Sequence, residues 1–342
     1  MNLKFWLNNA RTVALPQSVT PALAAICLAA SRWNRAFYEG SSVYDFSLWL
    51  ALIALLGVIC AHLSVNLFDD YFDYKNAGIE SRQKLQRAGM RARIGKANYL
   101  AEGKATLDET RRVAVWFGVV AIACGIVVLL FRGWPILLMA GIGGFLGFFY
   151  SAKPFMLCYR GLGELVTGII FGPLLMLGMG FAACGCIPSG MGYVSAAVGL
   201  LVINILYTHS IMDAGPDTSV GKKTLATLLG TPRKMLLASR LFNFLPFVFI
   251  LLAIDFKLLS PWMLLTFITL PMAISLSKLM SDFVQEKPGR PEPKFWMGPM
   301  ANWKSIVEAE LDWFMIRWYL SRNYLTFFIL VAAIVALAAP AM

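Results

Sequence analysis

Four long apolar runs, Leu48 to Val65, Val113 to Phe131, Pro135 to Phe149 and Leu325 to Leu337, constrain this chain more than any other feature. Each approaches or reaches the ~20 residues that cross a bilayer as an α-helix. In hydrocarbon every backbone N–H and C=O must be paired within the chain, and these runs lack the alternation of a barrel strand. An all-α, polytopic membrane protein follows. Charged residues make up 14% of the 342 residues against 58% hydrophobic, too few to coat a soluble globule of this size.

Hydrophobic periodicity predicts nine transmembrane helices in one domain over 1–342, at about 16–31, 46–68, 112–131, 134–151, 162–183, 190–212, 235–255, 260–279 and 324–341. The net charge of +11 would raise nucleic acid in a soluble protein, but its placement here points to membrane lipid and orientation instead. The segment after the second span carries Lys75, Arg82, Lys84, Arg87, Arg91, Arg93, Lys96, Lys104, Arg111 and Arg112, and reads as a cytoplasmic loop. Alternation then puts Lys153, Arg160, Lys222, Lys223 and Lys287 to Lys304 on the same side, with the N-terminus inside. A Pro- and Trp-rich insertion at about 285–323 suits the interface, with a helix expected over Lys304 to Tyr319.

The first apolar run resembles a signal peptide in its flanks, but Ser31-Arg32-Trp33-Asn34-Arg35 follows it in place of a small-residue cleavage site, so it is expected to be retained. The six cysteines read as structural. Cys184 and Cys186 form a close pair without nearby histidine, a poor metal site.

Asn66, Asp70 and Asp73 are spaced i, i+4, i+7 at the end of the second span, which places them on one helical face. His209, Asp213 and Asp217 repeat the device at i, i+4, i+8 at the end of the sixth. An acidic face ending an apolar helix is costly without a cation against it. Two such faces on one membrane side suit Mg²⁺, which takes one or two carboxylates and completes its shell with water and substrate phosphates. Basic residues follow each, Lys75 and Arg82 after the first and Lys222 and Lys223 after the second, an arrangement that fits a diphosphate. A lone helix end solvated by its basic neighbours is the bland alternative for either cluster. His62 reads as a buried contact between helices.

These two motifs resemble those of the UbiA-type prenyltransferases, the second reading Asp213-Ala214-Gly215-Pro216-Asp217. Leu15-Pro16-Gln17-Ser18-Val19-Thr20-Pro21, Tyr159-Arg160-Gly161-Leu162-Gly163-Glu164 with Phe171-Gly172-Pro173, and Gly221-Lys222-Lys223-Thr224-Leu225-Ala226 are similar to the 1,4-dihydroxy-2-naphthoate branch. The resemblance implies nine helices around a central cavity open to lipid, in a bacterial plasma membrane with a cytoplasmic active site. It implies a polyprenyl diphosphate and a small aromatic acceptor as partners. By the same resemblance Asn66, Asp70, Asp73, Asp213 and Asp217 hold Mg²⁺, and Lys75, Arg82, Lys153, Arg160, Lys222 and Lys223 meet the diphosphate. Tyr150, His209 and Met212 are candidate acceptor contacts. The chain departs from that branch at Asp69, Glu80 and His209-Ser210-Ile211-Met212, where an arginine is replaced by Met212. Other acceptors, 4-hydroxybenzoate, homogentisate or a lipid phosphate, therefore stay open. A cation-coupled transporter is the alternative from another class, but it predicts carboxylates at mid-membrane and an internal repeat, and the chain shows neither.

Overall fold

A computed structural model describes residues 3–31, 46–87, 98–219, 223–287 and 289–339. No strand occurs among them, and the β-type pairing is an isolated parallel bridge between Arg160 and Lys223. The chain enters through a short helix, α1 (Leu3–Asn9), and then α2 (Pro16–Ala29). Next come α3 (Leu48–Arg87), α4 (Leu107–Arg132), α5 (Trp134–Phe148), α6 (Gly163–Cys184) and α7 (Met191–Met212). Two short helices, α8 (Ala214–Ser219) and α9 (Leu225–Leu229), lead into α10 (Pro232–Asp255) and α11 (Pro261–Val284). A small helix, α12 (Trp303–Glu308), precedes the last, α13 (Asp312–Ala338).

Seven of these, α3, α4, α6, α7, α10, α11 and α13, are long and apolar enough to cross a bilayer. The other two expected spans are apolar helices of 14 residues (α2) and 15 residues (α5), short of the ~20 that a crossing requires. Helix length alone thus supports seven crossings among the described residues. The side chains that cover the bundle fit hydrocarbon: Trp116, Ile122, Leu130, Leu137 and Ile268 are strongly exposed, a surface that water would not tolerate.

Two expectations are corrected. The basic segment after the second span begins as helix and not as loop, because α3 runs on to Arg87 through residues of good helix propensity such as Glu80, Gln83, Lys84 and Gln86. The first aspartate motif therefore lies inside a helix and not at its end. A single helix over Lys304 to Tyr319 does not form either. The chain breaks between Glu308 and Asp312, where Glu310 takes φ 53°, and α13 begins twelve residues before the expected span. Within the Pro- and Trp-rich segment, Trp296 donates to Ser275 Oγ at 3.0 Å and Asn323 donates to the Met297 carbonyl at 2.9 Å, tying it to α11 and α13.

The centre of the bundle is α7, whose Val194, Val198, Leu201, Val202 and Ile205 are buried. Its approach to α6 is set by glycine: a Cβ on Gly172 would stand 2.5 Å from the Gly199 Cα and 2.6 Å from the Ser195 carbonyl oxygen. Small residues let helix backbones meet where hydrophobicity alone gives no preference between protein and lipid. Pro173, which lacks an N–H, sits beside this contact in a π-helical turn over Ile170–Leu174. Polar links add direction. Asn204 on α7 donates to Asn243 Oδ1 on α10 at 2.8 Å, and Tyr324 on α13 donates to the Asn243 carbonyl at 2.8 Å.

Candidate active site

The first aspartate segment is gripped from the N-terminus. Trp6 on α1 is buried in one cluster with Leu63, Leu67, Tyr99, Leu100, Val113 and Ala114, which docks α1 on the middle of α3 and the start of α4. The chain then turns at Arg11, a non-glycine residue at φ 61° and ψ 51°, a conformation that costs roughly 1–2 kcal/mol. That turn aims the guanidinium at α3. Arg11 Nη2 donates to the Asn66 carbonyl at 2.7 Å, to Asp69 Oδ2 at 3.0 Å and to Asp70 Oδ1 at 3.2 Å. The Asn66 side chain returns a bond to the Ala10 carbonyl at 2.9 Å. Burial works against the charged guanidinium, but Asp70 and Asp69 outweigh it and hold Arg11 above the ordinary arginine range.

Two further donors order this face. Ser151 donates to Asp69 Oδ1, and Tyr159 donates to Asp73 Oδ1. Burial and the adjoining Asp73 push the Tyr159 phenol up, so it remains a proton donor. His62, one turn before Asn66, is buried and shares a 2.7 Å hydrogen bond with Ser18 Oγ on α2, a contact between helices.

The second segment runs through the end of α7 into α8. The helical bonding continues across the junction, with Asp213 N–H to the His209 carbonyl and Asp217 N–H to the Asp213 carbonyl, both at 2.8 Å. Asp213 and Asp217 are buried, and His209 packs against Phe314 and Trp318 of α13 at ring-centroid separations of 5.5 and 5.9 Å.

Both segments face one cavity of about 1220 Å³. Its polar end is formed by Arg11, Asn66, Asp69, Asp73, Asp213 and Asp217, with Tyr150, Tyr159, Glu164 and His209 nearby in the wall. Asp70 is fully buried behind Arg11. The rest of the wall is apolar, including Val58, Ile126, Leu129, Leu137 and Leu175. Met212 is buried in the core and is not part of the lining.

Of the cations named from sequence, Lys75, Lys153, Arg160 and Lys223 are not among the residues that line the cavity. Lys75 sits 3.5 Å from the Tyr71 hydroxyl, Arg160 is exposed and donates to the Pro154 carbonyl at 3.0 Å, and Lys153 and Lys223 are exposed. Arg160 and Lys223 are neighbours through their backbone bridge. Lys222 and the side chains of Arg82 and Glu80 fall outside the described residues. Arg11 was missed in the sequence because its partners are 58 and 59 residues away. Its position just before Leu15-Pro16, where a helix starts, was the only available signal.

Among the described residues no three His, Cys, Asp or Glu side chains stand as a ready metal cluster. The carboxylates instead approach one cavity from two helices, with Arg11 neutralising part of the first. An oxygen-only set of this kind fits Mg²⁺, which needs one or two protein carboxylates and draws its other ligands from water and substrate.

Known proteins share this layout. The sequence pattern of the UbiA prenyltransferase family matches residues 18–305. A 1,4-dihydroxy-2-naphthoate octaprenyltransferase of Bacillus subtilis is 26% identical over 71% of this chain and 73% of its own length. One of the same description from Mycobacterium tuberculosis is 27% identical over 79% of this chain and 83% of its own. In fold, a UbiA homolog from Archaeoglobus fulgidus bound to GPP and Mg²⁺ superposes with TM-score 0.57 at 13% identity, covering 96% of this chain and 99% of that one. With the family pattern spanning most of its length and its helices arranged as in that fold, this integral membrane protein belongs to the UbiA prenyltransferase family.

Proposed function

We propose that this protein transfers a polyprenyl group from its diphosphate to an aromatic acceptor, 1,4-dihydroxy-2-naphthoate, in an Mg²⁺-dependent reaction at the cytoplasmic face of the membrane. The observation that carries this reading is the convergence of two aspartate segments on a single cavity whose remaining wall is apolar. Such a cavity offers one end to a charged diphosphate and the other to a hydrocarbon chain. The naphthoate acceptor is favoured by the two bacterial relatives that bear that description.

In this reading Asn66, Asp70, Asp73, Asp213 and Asp217 would hold Mg²⁺ beside the diphosphate. Mg²⁺ bound there supplies electrostatic stabilisation of the charge on the leaving group. Arg11 adds a guanidinium already lodged against Asp69 and Asp70, and Lys75, Arg82, Lys153, Arg160, Lys222 and Lys223 are the further candidate cations for the diphosphate. The allylic C–O bond breaks with its electron pair on the diphosphate, and a ring carbon of the acceptor supplies the pair for the new C–C bond. In the naphthoate the ring carboxylate departs as CO₂, which restores aromaticity. Apolar walls withhold the water that would otherwise capture the allylic cation. The rings of Phe68, Phe148 and Phe171 belong to that wall and favour cationic charge. Tyr150 and His209 are the acceptor contacts.

The test is product formation by the purified protein in detergent with Mg²⁺, geranylgeranyl diphosphate and each of dihydroxynaphthoate, 4-hydroxybenzoate and homogentisate. Prenylated naphthoquinol from the first acceptor alone is the expected result. Product from another acceptor alone would overturn the naphthoate assignment while retaining prenyl transfer. No product from any of them would count against the whole reading.

A further inference from the structure

Glu164 lies in the first turn of α6, buried at 4% exposure, and is one of the residues that line the cavity. A glutamate in the first turn of a helix ordinarily caps its own N–H groups or points to solvent. This one does neither. Its Oε1 accepts a hydrogen bond from Ser210 Oγ at 2.5 Å, across 46 residues, and another from the Leu225 N–H at 3.2 Å, across 61 residues.

The two donors sit at informative places. Ser210 follows His209 and precedes Asp213 by three residues, so it belongs to the last turn of α7 that feeds the second aspartate pair. Leu225 opens α9, directly after Thr224, which lines the cavity, and two residues after Lys223. The backbone of Lys223 is bridged to that of Arg160, four residues before Glu164. One carboxylate oxygen therefore joins three segments: the start of α6 with Arg160, the end of α7 with Asp213, and the start of α9 with Lys223. A buried carboxylate is expensive near a membrane, and simple packing would not call for one.

We propose that Glu164 is a positioning residue: it holds the second aspartate pair and the Arg160–Lys223 pair in a fixed relation, so that anionic and cationic sides of the site meet one diphosphate together. This inference rests on the reading of the cavity as a prenyl diphosphate site. The relation needs an acceptor oxygen at this point, not a negative charge. Glutamine supplies the same oxygen and can accept both bonds, whereas alanine can accept neither.

The experiment compares Glu164→Ala, Glu164→Gln and Ser210→Ala with the wild type in the full-length protein. It measures kcat, the KM for geranylgeranyl diphosphate, the KM for the acceptor and the thermal midpoint. Glu164→Ala should raise the KM for the diphosphate about tenfold, the scale of losing hydrogen bonds to a charged group, and Ser210→Ala should raise it by a smaller factor. The acceptor KM should stay within about twofold in both. Glu164→Gln should restore near wild-type values. If glutamine fails as badly as alanine and the acceptor KM rises, the charge acts on the acceptor and the positioning role is wrong. Unchanged KM values with only a lowered thermal midpoint would reduce Glu164 to packing and also overturn it. Should Glu164→Ala not fold, Ser210→Ala and Glu164→Gln carry the same comparison.

Binding of a non-hydrolysable geranylgeranyl thiodiphosphate, followed by calorimetry with Mg²⁺ present, separates this idea from the functional reading. Wild-type binding without turnover would sink the proposed acceptors and leave the Glu164 comparison measurable. Equal thiodiphosphate affinity in the wild type and Glu164→Ala would sink the positioning role alone.

Discussion

The guanidinium of Arg11 stands 3.2 Å from Asp70 Oδ1, joining the turn before α2 to the middle of α3 across 59 residues of chain. Asp70 is fully buried, and Arg11 supplies positive charge against it within the protein itself. Arg11→Ala is expected to lower stability by about 1–2 kcal/mol. That is less than the loss for a fully buried pair, because the Arg11 side chain keeps 30% of its exposure. Arg11→Lys should fall between, since a lysine keeps the charge but on a differently shaped stem, and Arg11 makes its contacts to Asp69, Asp70 and the Asn66 carbonyl from the single nitrogen Nη2. Thermal unfolding in detergent checks both, and an unchanged midpoint for Arg11→Ala would show the contact to be energetically idle.

Asp70→Asn and Asp217→Asn should each reduce turnover by about a hundredfold or more, the scale of losing a group that anchors transition-state charge stabilisation. Helix content by circular dichroism should stay at the wild-type level, because asparagine keeps the volume and one acceptor oxygen of each carboxylate. Near-normal product formation by Asp217→Asn would remove the second segment from the assigned site.

Withdrawal of divalent metal with EDTA should abolish product formation, and added Mg²⁺ should restore it. The oxygen-only donors at the polar end of the cavity favour a hard cation over one that prefers thiolate or imidazole. Full activity after exhaustive chelation would contradict the assigned role of the aspartates.

Gly172→Ala should destabilise the bundle by about 1–3 kcal/mol, the usual cost of overpacking, because its Cβ would land 2.5 Å from the Gly199 Cα and 2.6 Å from the Ser195 carbonyl oxygen. Backbone atoms cannot rotate aside as a flexible side chain does. Gly141→Ala is the control: a Cβ there meets nothing within 4 Å, and its thermal midpoint should stay close to that of the wild type.

Local pattern explains how much of this architecture was legible beforehand. The apolar runs around Leu48, Val113 and Leu325 specify helices because an unpaired backbone is intolerable in lipid, and that condition needs no knowledge of neighbours. Asn66, Asp70 and Asp73 fall on one face by the arithmetic of 3.6 residues per turn. Helix ends were less legible. The extension of α3 to Arg87 and the early start of α13 at Asp312 follow from propensity and packing outside the apolar run, where hydropathy carries no signal.

What sequence by itself determined was the material of this protein: an all-helical membrane bundle with two acidic faces and basic segments after them. Which cation reaches which carboxylate was decided only by the tertiary structure. Arg11 meets Asp69 and Asp70 because Trp6 docks α1 against α3 and α4, and Glu164 meets Ser210 and Leu225 because three distant segments close around it. Periodicity orders side chains within one helix. Contacts across 46 to 61 residues depend on how helices pack, and that packing is set by close approaches such as Gly172 to Gly199.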